Sequence, residues 1–357
     1  MSTLLDQTAP VRAGEDLPVP RLEAYLRQHF PDASGPLTVG QFPHGHSNLT
    51  YLVRLGTTEW VLRRPPFGNV VQTAHDMGRE YRVLSMLAPA FPAAPRPYAY
   101  CEDESVLGAP FYIMERRHGV VVRKTLPPGL TIDQDTARRL GAALIDNLAR
   151  LHSVDYRQIG LGDLGKPDGY VARQVNGWYN RYAQARTDDV PAMERLPRWL
   201  SEHVPRLRSH EAALIHNDYK YDNLLLDPDD LTRIVAVLDW EMATIGDPLM
   251  DLGTTLGYWV EADDPEPLQR AATGPTNLPG SLTRRELVLR YAETTGRDVS
   301  DVLFYYCFGL FKIGVILQQI YARYVRGKTR DARFAHLNDL VVAVSEQAER
   351  ALTTERW

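Results

Sequence analysis

Apolar residues along this chain change their period about a third of the way in. Leu22, Tyr25, Leu26 and Phe30 recur at helical intervals in PRLEAYLRQHF, which predicts a short helix after a loose polar leader. Runs rich in β-branched and aromatic residues then predict strands at 37–42, 49–55 and 59–64; the turn-rich FPHGHSN separates the first two, and PPFG ends the third. Helical spacing returns in 74–88, where Met77, Tyr81, Leu84 and Leu87 outweigh Gly78, and two more strands are expected at 97–101 and 110–115. That order describes a small sheet crossed by one helix. Past RRHGVV the pattern lengthens into helices at about 133–152, 170–184, 193–209, 283–295 and 301–325. Between the third and fourth of these, NLLLD and RIVAVLDW flank PDDLT and read as a β-hairpin. The class is therefore α+β in two lobes: a leader and first helix over 1–36, a small antiparallel-sheet lobe over 37–118, and a mainly helical lobe over 119–357.

Composition narrows the functional classes. With 44% hydrophobic and 24% charged residues over 357 positions, there is material for a real core. The net charge of -5 gives no global basic field, so nucleic acid is not an expected partner. Cys101 and Cys307 stand far apart with no CxxC pair, which fits a reducing cytoplasm and argues against a zinc site or disulfide scaffold. The first residues lack the apolar stretch of a signal peptide. The most apolar segment, from Leu303, is interrupted by Lys312, Gln318 and Gln319; a buried helix is expected there, not a membrane span.

The densest chemistry lies in LIHNDYKYDNLLLD, residues 214–227, and VAVLDWEMATIGDPLMDLG, residues 235–253. A polar loop folded back on the hairpin can bring the oxygens of Asp218, Asn223 and Asp239 to one point. Magnesium takes hard oxygen ligands and keeps part of its shell for phosphate, so Asn223 and Asp239 form a metal pair once a nucleotide supplies the rest. Asp218 then faces an acceptor hydroxyl, orients it and takes its proton, while Lys220 steadies the transferring phosphoryl group.

These residues resemble the aminoglycoside phosphotransferase-like and choline-kinase-like small-molecule kinases, distant relatives of protein kinases. The H-x-D-x-x-x-x-N loop of that family is matched by His216, Asp218 and Asn223; its metal motif is matched by L-D-W-E around Asp239, and its G-D-P-x-x-D-L by Gly246, Asp247, Pro248, Asp251 and Leu252. Closest is the phosphotransferase domain fused in animals to certain acyl-CoA dehydrogenases, with its free-standing bacterial counterparts, which share F-x-x-G-x-S-N-x-T-Y-x-V, V-L-R-(R/K)-x-P and G-R-E-Y-R-V-L. The resemblance covers nearly all of 37–325. It implies a bilobal protein-kinase-like fold and ATP- and magnesium-dependent phosphorylation of a small-molecule hydroxyl, possible acceptors including a hydroxyacyl-CoA or related hydroxy acid. The alternative is an inactive, kinase-like nucleotide-binding regulator.

On the nucleotide side, the resemblance implies a phosphate-covering turn with Gly45, Ser47 and Asn48. Arg63 stands where most kinases place a β3 lysine, as is usual in the closest subgroup, and is expected to pair with Glu80 over the phosphates. Arg64 should point to the opposite sheet face. Met114 is expected to line the adenine pocket, with backbone groups of Glu115 to Arg117 reading its edge. His216, Asp247 and Asp251 read as braces of the catalytic loop. No long activation segment follows Asp239, and Asn217 replaces the arginine of many kinases, so a polypeptide substrate is not expected. Tyr170, Trp178, Tyr179, Tyr182, Tyr258 and Trp259 suggest an acceptor with apolar parts. The basic run RYVRGKTR, with Arg323, Arg326, Lys328 and Arg330, offers partners for carrier phosphates.

Overall fold

In the computed structural model, which describes residues 5–43, 48–67, 76–208 and 211–357, the chain forms two compact units. The first gathers residues 1–121 with 224–230 and 234–242; the second holds 122–223, 231–233 and 243–357. The hairpin inside the region read as helical thus packs with the sheet, whereas the sequence division places it beyond residue 118.

The first unit opens with helix α1 (Val19–His29), followed by strands β1 (Leu37–Gln41), β2 (Leu49–Leu55) and β3 (Thr58–Arg64). Helix α2 (Met77–Leu87), strand β4 (Pro97–Cys101), the short helix α3 (Glu104–Leu107) and strand β5 (Phe111–Glu115) complete the run. The five strands pair antiparallel in the order β1-β2-β3-β5-β4. Alternation along the strands explains the packing. Tyr51, Val53, Trp60, Leu62, Phe111 and Ile113 bury one face against Leu22, Tyr25 and Leu26 of α1. The leader is not loose where it is described: Ala9 exchanges two backbone hydrogen bonds with Gln41 at the β1 edge, which covers an otherwise unpaired strand.

Asp76 caps α2 by accepting from the Arg79 N–H. The helix begins at Met77; the two earlier positions of the expected segment lie outside the described residues. The hairpin strands, here β7 (Leu224–Leu226) and β8 (Ile234–Val237), pair antiparallel, and Val237 N–H donates to Ala93 O at 2.7 Å. Val121, Leu225 and Ala236 form their own small core.

The second unit contains α4 (Gln134–His152), α5 (Tyr170–Ala185) and α6 (Pro191–His203), then the short strand β6 (Ala213–Ile215), which pairs with β9 (Thr244–Gly246). After β9 come α7 (Pro248–Tyr258), α8 (Glu266–Ala271), α9 (Arg284–Thr295), α10 (Val302–Val325) and α11 (Leu337–Thr354). The helix expected over 193–209 instead starts at Pro191 and ends at His203, continuing as a 3-10 turn through Arg206. Helices α3, α7, α8 and α11 go beyond the sequence reading. Nine of the eleven α7 residues are buried, so no polar face marks its period. Helix α10 is long and apolar enough to cross a membrane by length and composition, yet 72% of that stretch is buried within the protein.

Candidate active site

In the first unit, β3 places Arg63 on the sheet face opposite α1, where its guanidinium meets three carboxylates. Nη2 donates to Asp239 Oδ1 at 2.9 Å, Nε lies 3.3 Å from Glu80 Oε2, and Glu241 Oε2 stands at 3.8 Å. Arg63 is 8% exposed and Glu80 1%. Burial opposes the guanidinium charge, but Glu80 first, then Tyr112, Asp239 and Glu241, hold the group more firmly protonated than usual. The Glu80 contact is an ion pair without hydrogen-bond alignment, which leaves the buried Arg63 Nε lacking an acceptor. Glu80 uses its other oxygen to accept from the Trp240 N–H at 3.2 Å, tying α2 to the end of the hairpin.

The pairing of Arg63 with Glu80 agrees with the sequence reading, and Arg64 does take the opposite face. Its guanidinium lies 3.7 Å from the Phe67 ring centroid and donates to Leu107 O at 3.1 Å. Asn48 is buried and donates to Glu241 Oε2 at 2.7 Å. Glu241, quoted only as part of L-D-W-E, is therefore a member of this polar cluster that the sequence reading passed over. Gly45 and Ser47 lie outside the described residues. Met114 is buried on β5. The Glu115 N–H donates to Arg96 O, so that one expected reader of an adenine edge is already committed. The Glu115 carboxylate pairs with Arg117 at 2.9 Å.

In the second unit, β6 delivers the chain into the loop from His216 to Lys220, and a 3-10 turn follows at Tyr221–Asn223. Asp251 of α7 accepts from the backbone N–H of His216 at 2.6 Å and of Asn217 at 2.8 Å, and His152 Nε2 lies 3.2 Å away. Burial works against the Asp251 charge, but His152 and the His216 amide keep its carboxyl below the usual range. The Asp218 N–H donates to His216 Nδ1 at 3.2 Å, which makes His216 a brace of the loop. Asp247 caps α7 and accepts from the Tyr305 hydroxyl at 2.8 Å.

Asp218 Oδ2 receives both the Lys220 ammonium and, at 2.9 Å, Asn223 Nδ2. Burial raises the Asp218 carboxyl, but Lys220, then Lys312 and His216, outweigh it and keep the group ionised. Because Asn223 Nδ2 is spent on Asp218, its amide oxygen, the atom a metal takes, points the other way. In the first unit the Asp239 side chain remains 31% exposed. Amide and carboxylate oxygens of this kind are, each in its own unit, hard ligands. Among the described residues, no cluster of three or more His, Cys, Asp or Glu has metal-site geometry.

Asn217 and Asp239 both hold left-handed backbone, with φ of 69° and 67°. Such conformations cost roughly 1–3 kcal/mol in non-glycine residues and concentrate at functional sites. Of the aromatic side chains expected around an acceptor, Tyr170, Trp178, Tyr182 and Trp259 are buried core, Tyr258 is half-buried and Tyr179 is exposed. Sequence spacing carries no signal for that distinction.

A β3 arginine clamped by a helix carboxylate, together with an Asp-Lys-Asn loop after a short strand, defines a kinase-like phosphotransferase with an antiparallel-sheet lobe and a helical lobe. The model of the "phosphotransferase enzyme family" matches residues 38–287, and the chain belongs to that family. Phosphoryl transfer is the reaction class that this family's description names. Acyl-CoA dehydrogenase family member 10 from mouse is 35% identical over 351 residues, 98% of this chain and 32% of that protein. The chain thus spans about a third of that relative's length. An aminoglycoside phosphotransferase-like crystal structure from Ralstonia eutropha is 34% identical, covers 94% of this chain and 99% of its own, and superposes with a TM-score of 0.78. Choline kinase from Cryptosporidium parvum shares the fold, at 12% identity, with 94% of this chain and 97% of its own covered and a TM-score of 0.65.

Proposed function

We propose that the protein transfers the γ-phosphoryl group of ATP, with magnesium, to the hydroxyl of an acyl-type acceptor: a hydroxyacyl-CoA or a related hydroxy acid. In that reaction the bond from γ-phosphorus to the β-phosphate oxygen breaks, the acceptor oxygen bonds phosphorus, and ADP leaves. Asp218 orients the hydroxyl and takes its proton, and Lys220 offsets the charge that develops on the moving phosphoryl group. Asn223 and Asp239 are the residues whose oxygens would hold magnesium, which when bound would screen the phosphate charges. Arg63, oriented by Glu80, grips phosphate together with Asn48, and Gly45 and Ser47 are the sequence candidates for the same task. Met114, Glu115 and Arg117 border the base. The two free, buried cysteines suit a reducing compartment such as the cytoplasm.

The observation that carries the acceptor class is a cavity of about 400 Å³ between α5 and α10. Ala185, Ile316 and Ile320 give it apolar walls, while Arg181, Arg323, Arg326 and Lys328 ring it with positive charge. Two side chains link its lining to the catalytic loop: Arg181 lies 4.5 Å from the Trp178 ring centroid, and Lys312, 5.6 Å from that centroid, contacts Asn217. An apolar acyl segment and an anionic carrier match those walls and that rim. The names of the acyl-CoA dehydrogenase relatives point the same way.

The test is a mass-spectrometric screen of hydroxyacyl-CoAs, free hydroxy acids, amino alcohols, sugars and aminoglycosides with ATP and magnesium. A product heavier by about 80 Da, strongest for a hydroxyacyl thioester and lost in Asp218→Asn, is expected. Efficient conversion of a sugar or aminoglycoside, with every hydroxyacyl-CoA unchanged, rules out the acyl acceptor.

A further inference from the structure

Lys312 is the only charged residue of α10 before Arg323, in a stretch that is otherwise aliphatic, aromatic or small apart from Gln318 and Gln319. It is 2% exposed. A lysine buried among apolar side chains is unfavourable unless its ammonium is used, because desolvation penalises the charge. Here Nζ donates to Asn217 O at 2.5 Å, the carbonyl immediately before Asp218.

The packing beneath the loop explains how a core helix reaches it. Helices α7 and α10 cross at Gly253 and Gly309, where a Cβ built on Gly309 would stand 2.1 Å from Gly253 O. Only glycine permits that approach. Asp251 lies two residues before one crossing glycine and Lys312 three residues after the other, so the crossing sets both side chains under the same loop. Asp251 takes the two N–H groups of His216 and Asn217, and Lys312 takes the Asn217 carbonyl. Held from both sides, Asn217 keeps its left-handed backbone, and that backbone aims Asp218.

We propose that Lys312 is a positioning residue of phosphoryl transfer, whose ammonium fixes the Asn217 carbonyl and sets a positive charge behind Asp218. This rests on the reading of Asp218 as the group that faces the acceptor hydroxyl. Burial pushes the Lys312 ammonium down to about 8, against the support of Asp218 and Asp251. Facing it are Asp218 and Lys220 from the loop, Asp251 from α7 and Arg181 from α5, the two cations adding to the downward push. The charge is therefore present at neutral pH and lost in mild alkali, and turnover falls with it.

The experiment measures ADP release from MgATP with water as the acceptor, from pH 6 to 10, for wild type, Lys312→Met, Lys312→Arg and Asp218→Asn. Calorimetric MgATP affinity and melting temperature are recorded for each. Lys312→Met should lower turnover about tenfold or more with MgATP affinity unchanged, and should lose the alkaline limb near pH 8. Lys312→Arg, charged throughout, should restore turnover to within about threefold of wild type and carry activity past that limb. Wild-type turnover and pH profile in Lys312→Met overturn the proposal. If Lys312→Met melts below wild type, Lys312→Arg decides: a wild-type alkaline limb in that variant overturns the proposal and its disappearance supports it. Asp218→Asn separates the two readings. If it turns over like wild type, the assignment of Asp218 fails; if it is inactive while Lys312→Met is unaffected, only the role of Lys312 fails.

Discussion

Arg63 and Arg64 are neighbours of identical chemistry, and strand alternation sends them to different tasks. Arg63 enters a cluster of carboxylates, whereas Arg64 lies over Phe67 and donates to the Leu107 carbonyl. Arg63→Lys is expected to weaken binding of a fluorescent ATP analogue tenfold or more, since it keeps a charge beside Glu80 but loses the fork. Arg64→Ala should leave that affinity within about threefold and lower the melting temperature instead. The reverse ranking in a competition titration rules the assignment out. Lys312 offers a second contrast at this scale. Between its folded value of about 8 and the ordinary 10.5, the unfolded chain binds a proton that the folded chain does not, so this group makes stability rise with pH across that window. Below it the cost of burying the ammonium is fully present, at most about 3 kcal/mol. Lys312→Met is therefore expected to match or exceed wild-type stability in urea at pH 7 while losing activity, the opposite of what a purely structural lysine would show.

Helices α7 and α10 carry the second unit's active loop because their backbones touch. Gly309→Ala would drive a methyl group into the Gly253 carbonyl, and neither backbone has room to yield. A loss of about 3 kcal/mol or more in denaturant unfolding is expected, with turnover falling because Asp251 and Lys312 separate from the loop. Gly177 on α5 is the control: a Cβ there meets only the far end of Arg181 at 3.9 Å. Gly177→Ala should stabilise by up to about 1 kcal/mol through helix propensity. Equal effects at the two positions would remove the crossing from this account. Both are glycines within helical segments, and nothing in their spacing tells them apart.

Across the whole molecule the formal charge is -5, yet the cavity between α5 and α10 collects four cations. Arg326 is partly occupied in holding the Gln184 carbonyl at 3.0 Å, so Arg323 and Lys328 are the better probes of ligand charge. The double substitution Arg323→Gln with Lys328→Gln is expected to raise KM for a hydroxyacyl-CoA about tenfold while kcat changes little. The wild-type KM should rise with salt and the variant's should rise less, because screened surface charges are what was removed. Salt-independent kinetics in wild type would separate this rim from acceptor binding.

The alternating strands, the helical stretches through α5, the hairpin and the order H-x-D-x-x-x-x-N then D-W-E were legible in the chain, because each depends on neighbours a few residues apart. So was the pairing of Arg63 with Glu80, since a β3 residue and the next helix meet wherever that sheet forms. The sequence did not show that the hairpin packs with the sheet, that β6 pairs with β9 across nearly thirty residues, or that Trp178 and Trp259 are core. It also left Lys312 as an interruption in an apolar run. These were decided by packing at long range: burial removes the polar face that reveals a helix, as in α7, and a buried charge acquires meaning only from the loop that folding brings to it.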